Sequence, residues 1–104
     1  MNEQIKKLDA VKGLLNTKGV CVRLRDKNDL RERYSIRQNG SNAFERTDVA
    51  VMYGMVVVTS YNSQNQQVDN CVISVTKQDV NGKLENKIAL LRSQLQGMVS
   101  VKSR

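Results

Sequence analysis

The chain has no histidine, no proline and no tryptophan, and its 104 residues include only two cysteines, one phenylalanine and three tyrosines. Without histidine there is no imidazole base or ligand, which removes Ser-His-Asp and Cys-His catalysis and the histidine-containing zinc sites. Two cysteines do not complete a four-thiolate site, and no cofactor is expected. Cys21 and Cys71 read as small apolar fillers of a reducing compartment rather than as a disulfide pair. The glycines, Gly13, Gly19, Gly40, Gly54, Gly82 and Gly97, are scattered, and none belongs to a glycine-rich run ending in Lys-Ser or Lys-Thr. The phosphate-cradling loop of a nucleotide hydrolase is therefore missing. With so little aromatic area the core must be built from aliphatic side chains and methionine, and a small aliphatic core is only marginally stable. Self-association would help it, so a homo-oligomer is expected.

Long apolar runs are also lacking. Nothing approaches the roughly 18 to 20 residues that span a bilayer, and Met1-Asn2-Glu3-Gln4-Ile5-Lys6-Lys7 carries no signal-peptide apolar region. The expectation is a cytoplasmic protein with no membrane partner. Its 39% hydrophobic and 26% charged residues are those of a folding chain, and the length is that of a single domain over 1–104, with 99–104 a frayed basic tail.

What is present is periodic. Ile5, Leu8, Val11, Leu14 and Leu15 recur at spacings of three and four, which predicts a helix over 2–16 ended by Gly19. From Val20 the period changes to two: Val20, Val22 and Leu24 alternate with Cys21, Arg23 and Arg25. Asp26-Lys27-Asn28-Asp29 then offers turn chemistry before a second strand over 30–38. Residues 49–76 contain a single charge, Asp69, and read as the centre of the sheet. Within them 49–60 looks like one strand covered on both faces, with Gly54 as a bulge or a close backbone approach, and 68–76 looks like its hairpin partner. After Asn81-Gly82 a second helix runs over 83–98. The prediction is an α+β domain: an antiparallel sheet of about four strands flanked by an N-terminal and a C-terminal helix.

The first hairpin carries the most functional information. If Arg25 faces Arg31, then Arg23 faces Arg33 and Val22 faces Tyr34, so that Val20, Val22, Tyr34 and Ile36 form an apolar face and Arg23, Arg25, Arg31, Arg33 and Arg37 form a basic one. Like charges opposed on a sheet repel, and arginine forks match phosphate. The bland alternative is a solvated edge whose charges discourage aggregation. A third possibility is a contact with an acidic protein surface.

Two features of the second helix need weighing. Glu85-Asn86-Lys87 has the Glu-x-Lys spacing of some magnesium nucleases, yet an acidic residue in a first helical turn is explained by the helix dipole. Leu84, Ile88, Leu91, Leu95 and Met98 step by four, three, four and three, the spacing of a helix docked on its own sheet or of an oligomer interface. With 17 Lys+Arg against 10 Asp+Glu, the net charge is +7. These observations predict a small non-enzymatic binding protein that engages a polyanion, nucleic acid first, through the arginine-rich hairpin face. The alternative is an inhibitor of the kind encoded by viruses and mobile elements, which sequesters a phosphorylated small ligand or blocks a partner protein.

Overall fold

The structure, a computed structural model, describes residues 2–24, 32–38, 45–52, 54–75 and 80–99. Its elements are α1 (Asn2–Lys18), β1 (Gly19–Leu24), β2 (Glu32–Gln38), β3 (Arg46–Met52), β4 (Met55–Tyr61), β5 (Gln67–Ser74) and α2 (Lys83–Met98). The five strands form one antiparallel sheet in the order β1-β2-β3-β4-β5. The α+β arrangement with two terminal helices holds, with five strands rather than about four.

The extra strand comes from the apolar run 49–60. It is two half-buried strands, β3 and β4, folded back on each other at Gly54, whose φ of 68° supplies the reversal. Val49, Val51, Val56 and Val58 are buried on one face, while Ala50, Met52, Met55 and Val57 lie on the other. Both faces of this stretch are apolar in composition, so its alternation is invisible in the sequence. The low-charge segment also ends on the edge strand β5, not at the centre of the sheet.

Both helices pack on the same face. Leu8, Val11 and Leu15 of α1 and Leu84, Ile88, Leu91 and Leu95 of α2 meet Cys21, Tyr34, Ile36, Val49, Val51, Val56, Val58 and Ile73 in one core. Two ion pairs pin α1 at its rim: Lys7 Nζ lies 2.6 Å from Asp69 Oδ2 of β5, and Lys87 Nζ lies 3.0 Å from Asp9 Oδ1. The stripe expected to mediate oligomerisation is thus spent inside the subunit. Leu84, Ile88, Leu91 and Leu95 are buried in the core, so these side chains are not available to a second folded copy, while Met98 packs against the core and is partly buried.

Beyond α2 the chain turns back to the sheet, and Val99 forms a parallel bridge with Cys21 on the outer edge of β1. The tail expected over 99–104 thus begins with a residue ordered against β1, and 100–104 lie outside the described residues.

Candidate polyanion-binding face of the sheet

The face opposite the helices is built from every second residue of each strand. The β1–β2 register pairs Val20 with Arg37, Cys21 with Ile36, Val22 with Ser35 and Arg23 with Tyr34. It differs by one residue from the expected register, and a one-residue slip turns every side chain of a strand to the other face. Cys21, not Val20 or Val22, therefore enters the core with Tyr34 and Ile36. Alternation within a single strand cannot fix its offset against the next.

The slip divides the expected arginine cluster. Arg33 and Arg37 lie on the helix-free face, whereas Arg23 shares the helix-side face with Tyr34 and is exposed at its rim. Arg25 and Arg31 lie outside the described residues. The structure adds two members that the sequence reading missed. Arg37 is directly opposite Arg46 of β3, and Arg46 is opposite Tyr61 of β4. The signal for Arg46 was there: Arg46-Thr47-Asp48-Val49-Ala50-Val51 alternates, with Thr47, Val49 and Val51 on the buried side.

Arg46 is held from three directions. Its guanidinium lies 3.9 Å above the Tyr61 ring centroid, Nε donates to Asp48 Oδ2 at 3.3 Å, and Nη1 donates to Asn65 Oδ1 in the β4–β5 turn. That turn is rigid for its own reasons. Asn62 Oδ1 accepts the backbone N–H groups of Gln64 at 3.0 Å and Gln66 at 2.9 Å, and Asn65 takes a φ of 62°. Arg37, by contrast, is exposed and makes no side-chain hydrogen bond or ion pair among the described residues. Next to this row lies the cross-strand pair Ser35 and Asp48. Ser35 is 1% exposed, and among the described residues neither its Oγ nor Asp48 Oδ1 has a hydrogen-bond partner. A buried oxygen in that state favours an incoming donor, water or ligand.

The remaining chemistry points elsewhere. A cavity of about 710 Å³ between α2 and the β3–β4 end of the sheet is lined by Val51, Met52, Val75 and Ile88 with Glu32, Glu85 and Arg92. Arg92 donates to Glu32 through Nε at 3.0 Å and through Nη2, and the Tyr34 hydroxyl donates to the same carboxylate at 2.9 Å. The Arg92 hydrogen bonds, opposed by partial burial, bring the Glu32 carboxyl down to about 2. Burial first, then the neighbouring carboxylate, raises the Tyr34 phenol. With its arginine engaged and two carboxylates in its wall, this cavity is poorly suited to phosphate.

Burial raises the Cys21 thiol to about 11, which leaves it protonated and unreactive at neutral pH. Cys71 is free on β5, four inter-strand spacings of about 4.8 Å away from β1, so the two thiols cannot form a disulfide within one subunit. Lys87 turns to Asp9 while Glu85 faces the cavity, which separates the Glu-x-Lys pair on the helix. Among the described residues no three acidic or cysteine side chains converge as a metal site would require, and no helix is long and apolar enough to cross a membrane. Comparison of the chain with family models, with curated proteins and with solved structures finds no match.

Proposed function

We propose that the helix-free face of the sheet binds a polyanion, nucleic acid in particular, through Arg33, Arg37 and Arg46. The observation that carries this reading is the direct opposition of Arg37 and Arg46 on the face that neither described helix covers. Opposed like charges are unfavourable by a few tenths of a kcal/mol or more. Among the described residues only Arg46 has that cost offset, by Asp48 and Tyr61, so an anion bridging both guanidiniums would complete the pair. Phosphates spaced along a chain meet the requirement, and arginine forks engage them bidentately.

The face is suited to phosphate contacts more than to base reading. The Tyr61 ring is already occupied by Arg46, which leaves little free aromatic surface for stacking among the described residues of this face. Binding is therefore expected to depend strongly on salt and weakly on sequence. The reading takes the protein to be cytoplasmic and assigns it no catalytic step. The sequestering of a small phosphorylated ligand has less support, because the cavity beneath α2 is walled by Glu32 and Glu85.

Fluorescence anisotropy with labelled single-stranded and duplex oligonucleotides tests the proposal over a range of salt. Arg37→Gln combined with Arg46→Gln should weaken binding and flatten the logarithmic salt slope, by about 0.7 per lost phosphate contact on single strands and about 0.9 on duplex DNA. Arg23→Gln, on the opposite face, should leave the slope unchanged. Equal losses from the two faces would reduce the effect to net charge and overturn the assignment.

A further inference from the structure

The two edges of the sheet are treated differently. On β1 the outer edge meets Val99. On β5 no described residue pairs with the outer edge, although the strand is eight residues long. Natural sheets protect such an edge with lysine, proline, inward-pointing charge, a covering segment or a β-bulge. Gln67–Ser74 contains no lysine and no proline, and its one charge, Asp69, is turned to the helix side and neutralised by Lys7 at 2.6 Å. The only irregularity is the register shift at Ser60/Tyr61, opposite the start of β5.

The ladder identifies which backbone groups are unused. The Val75 N–H donates to the Gly54 carbonyl at 2.9 Å, in the same register that pairs Met55 with Ser74. In an antiparallel ladder the hydrogen-bonding direction alternates along the strand, so Val75, Ile73 and Cys71 point their amides toward β4 and Ser74, Val72 and Asn70 point theirs outward. The side chains of these three residues lie on the helix-free face, and Val72 among them is 50% exposed, unusual for an apolar β-branched residue on an edge.

We infer that β5 pairs with β5 of a second copy, antiparallel about a two-fold axis through Val72, to give a continuous ten-stranded sheet. The strand is complementary to itself in that register. Val72 faces Val72 of the second copy, and Asn70 faces Ser74, so apolar meets apolar and polar meets polar while three outward residues on each strand gain backbone partners. A register centred on Cys71 would instead set Val72 against Asn70. The two Asp69 carboxylates stand away from the axis, so no like charges are opposed at the junction. An axis normal to the sheet also puts both helix-free faces on one side. The inference does not depend on what those faces bind.

The contact is small, so association in the micromolar range is expected. Light scattering and sedimentation equilibrium from micromolar to sub-millimolar protein should show a reversible transition from 11.7 kDa to twice that mass. Val72→Lys puts two ammonium groups on the axis and should leave a folded monomer throughout, as judged by circular dichroism. Val68→Lys, on the same strand at a residue 61% exposed but outside the paired segment, should still dimerise. Amide hydrogen exchange at Asn70, Val72 and Ser74 should slow as the dimer forms. A wild-type monomer at every concentration would overturn the inference, as would a dimer that Val72→Lys does not dissociate or one whose Val72 amide exchanges freely. None of these readouts involves nucleic acid, so they stand or fall separately from the polyanion assignment.

Discussion

Glu32, the first residue of β2, accepts hydrogen bonds from Arg92 of α2, from Gln96 one turn further along that helix and from the Tyr34 hydroxyl two residues along its own strand. One carboxylate thus ties the C-terminal helix to the second strand at the mouth of the cavity. Its folded-state value of about 2 lies below the ordinary 4.5.

A depressed carboxyl contributes stability that is present above its unfolded value and lost as the pH falls through the folded one. The wild-type protein should therefore lose stability between about pH 4.5 and about pH 2. Glu32→Gln removes the ionisation. Its midpoint of thermal unfolding should lie a few degrees below wild type at neutral pH, with the gap closing across that window. A gap that stays constant down to pH 2 would assign the effect to hydrogen-bond geometry and not to charge.

The helices were readable because their faces differ in kind. Leu84, Ile88, Leu91 and Leu95 recur on one side of α2 while Glu85, Asn86, Ser93 and Gln96 fill the other, and a 3.6-residue period has one interpretation. The hairpin of β4 and β5 was readable for a similar reason, since the amide-rich turn 62–66 interrupts two β-branched runs. Three things were not. The reversal at Gly54 is hidden because Val49 to Val58 is apolar on both faces. The β1 offset is hidden because Cys21 is as acceptable inside as Val20 or Val22, and a one-residue slip costs nothing that local pattern records. The alternation of 46–51 puts Arg46 on the polar side of its strand, but its alignment with Arg37 and Tyr61 runs across three strands, a relationship that no spacing along the chain contains.

The burial of the α2 stripe separates a core from an interface. Leu91 is fully buried in the subunit and its neighbour Leu90 is 60% exposed. Leu91→Ala should destabilise by about 2–5 kcal/mol in urea unfolding, the range for a truncated core leucine. Leu90→Ala should stay within about 0.5 kcal/mol of wild type. Were the stripe a seam between subunits, Leu91→Ala would instead give a monomer of unchanged stability.

Two glycines test whether the backbone or the space around it sets the turn between β3 and β4. A Cβ added at Gly54 or at Gly13 would meet nothing within 4 Å, so neither substitution is opposed by packing. The conformations differ. Gly54 has a φ of 68°, where an L-residue pays roughly 1–2 kcal/mol for the approach of its Cβ to the following carbonyl oxygen. Gly13 lies within α1, where alanine is favoured over glycine by about 0.5–1 kcal/mol because it has less backbone freedom to lose. Gly54→Ala should therefore lower the free energy of unfolding by at least about 1 kcal/mol, and Gly13→Ala should raise it by somewhat less. Equilibrium denaturation of the two single variants and of the double variant checks both signs. The sites lie on different elements with no shared partner, so the double variant should show the sum of the two effects within about 0.5 kcal/mol. If Gly54→Ala proves neutral, the reversal is not held by a left-handed residue, and the division of 49–60 into two strands loses its local cause.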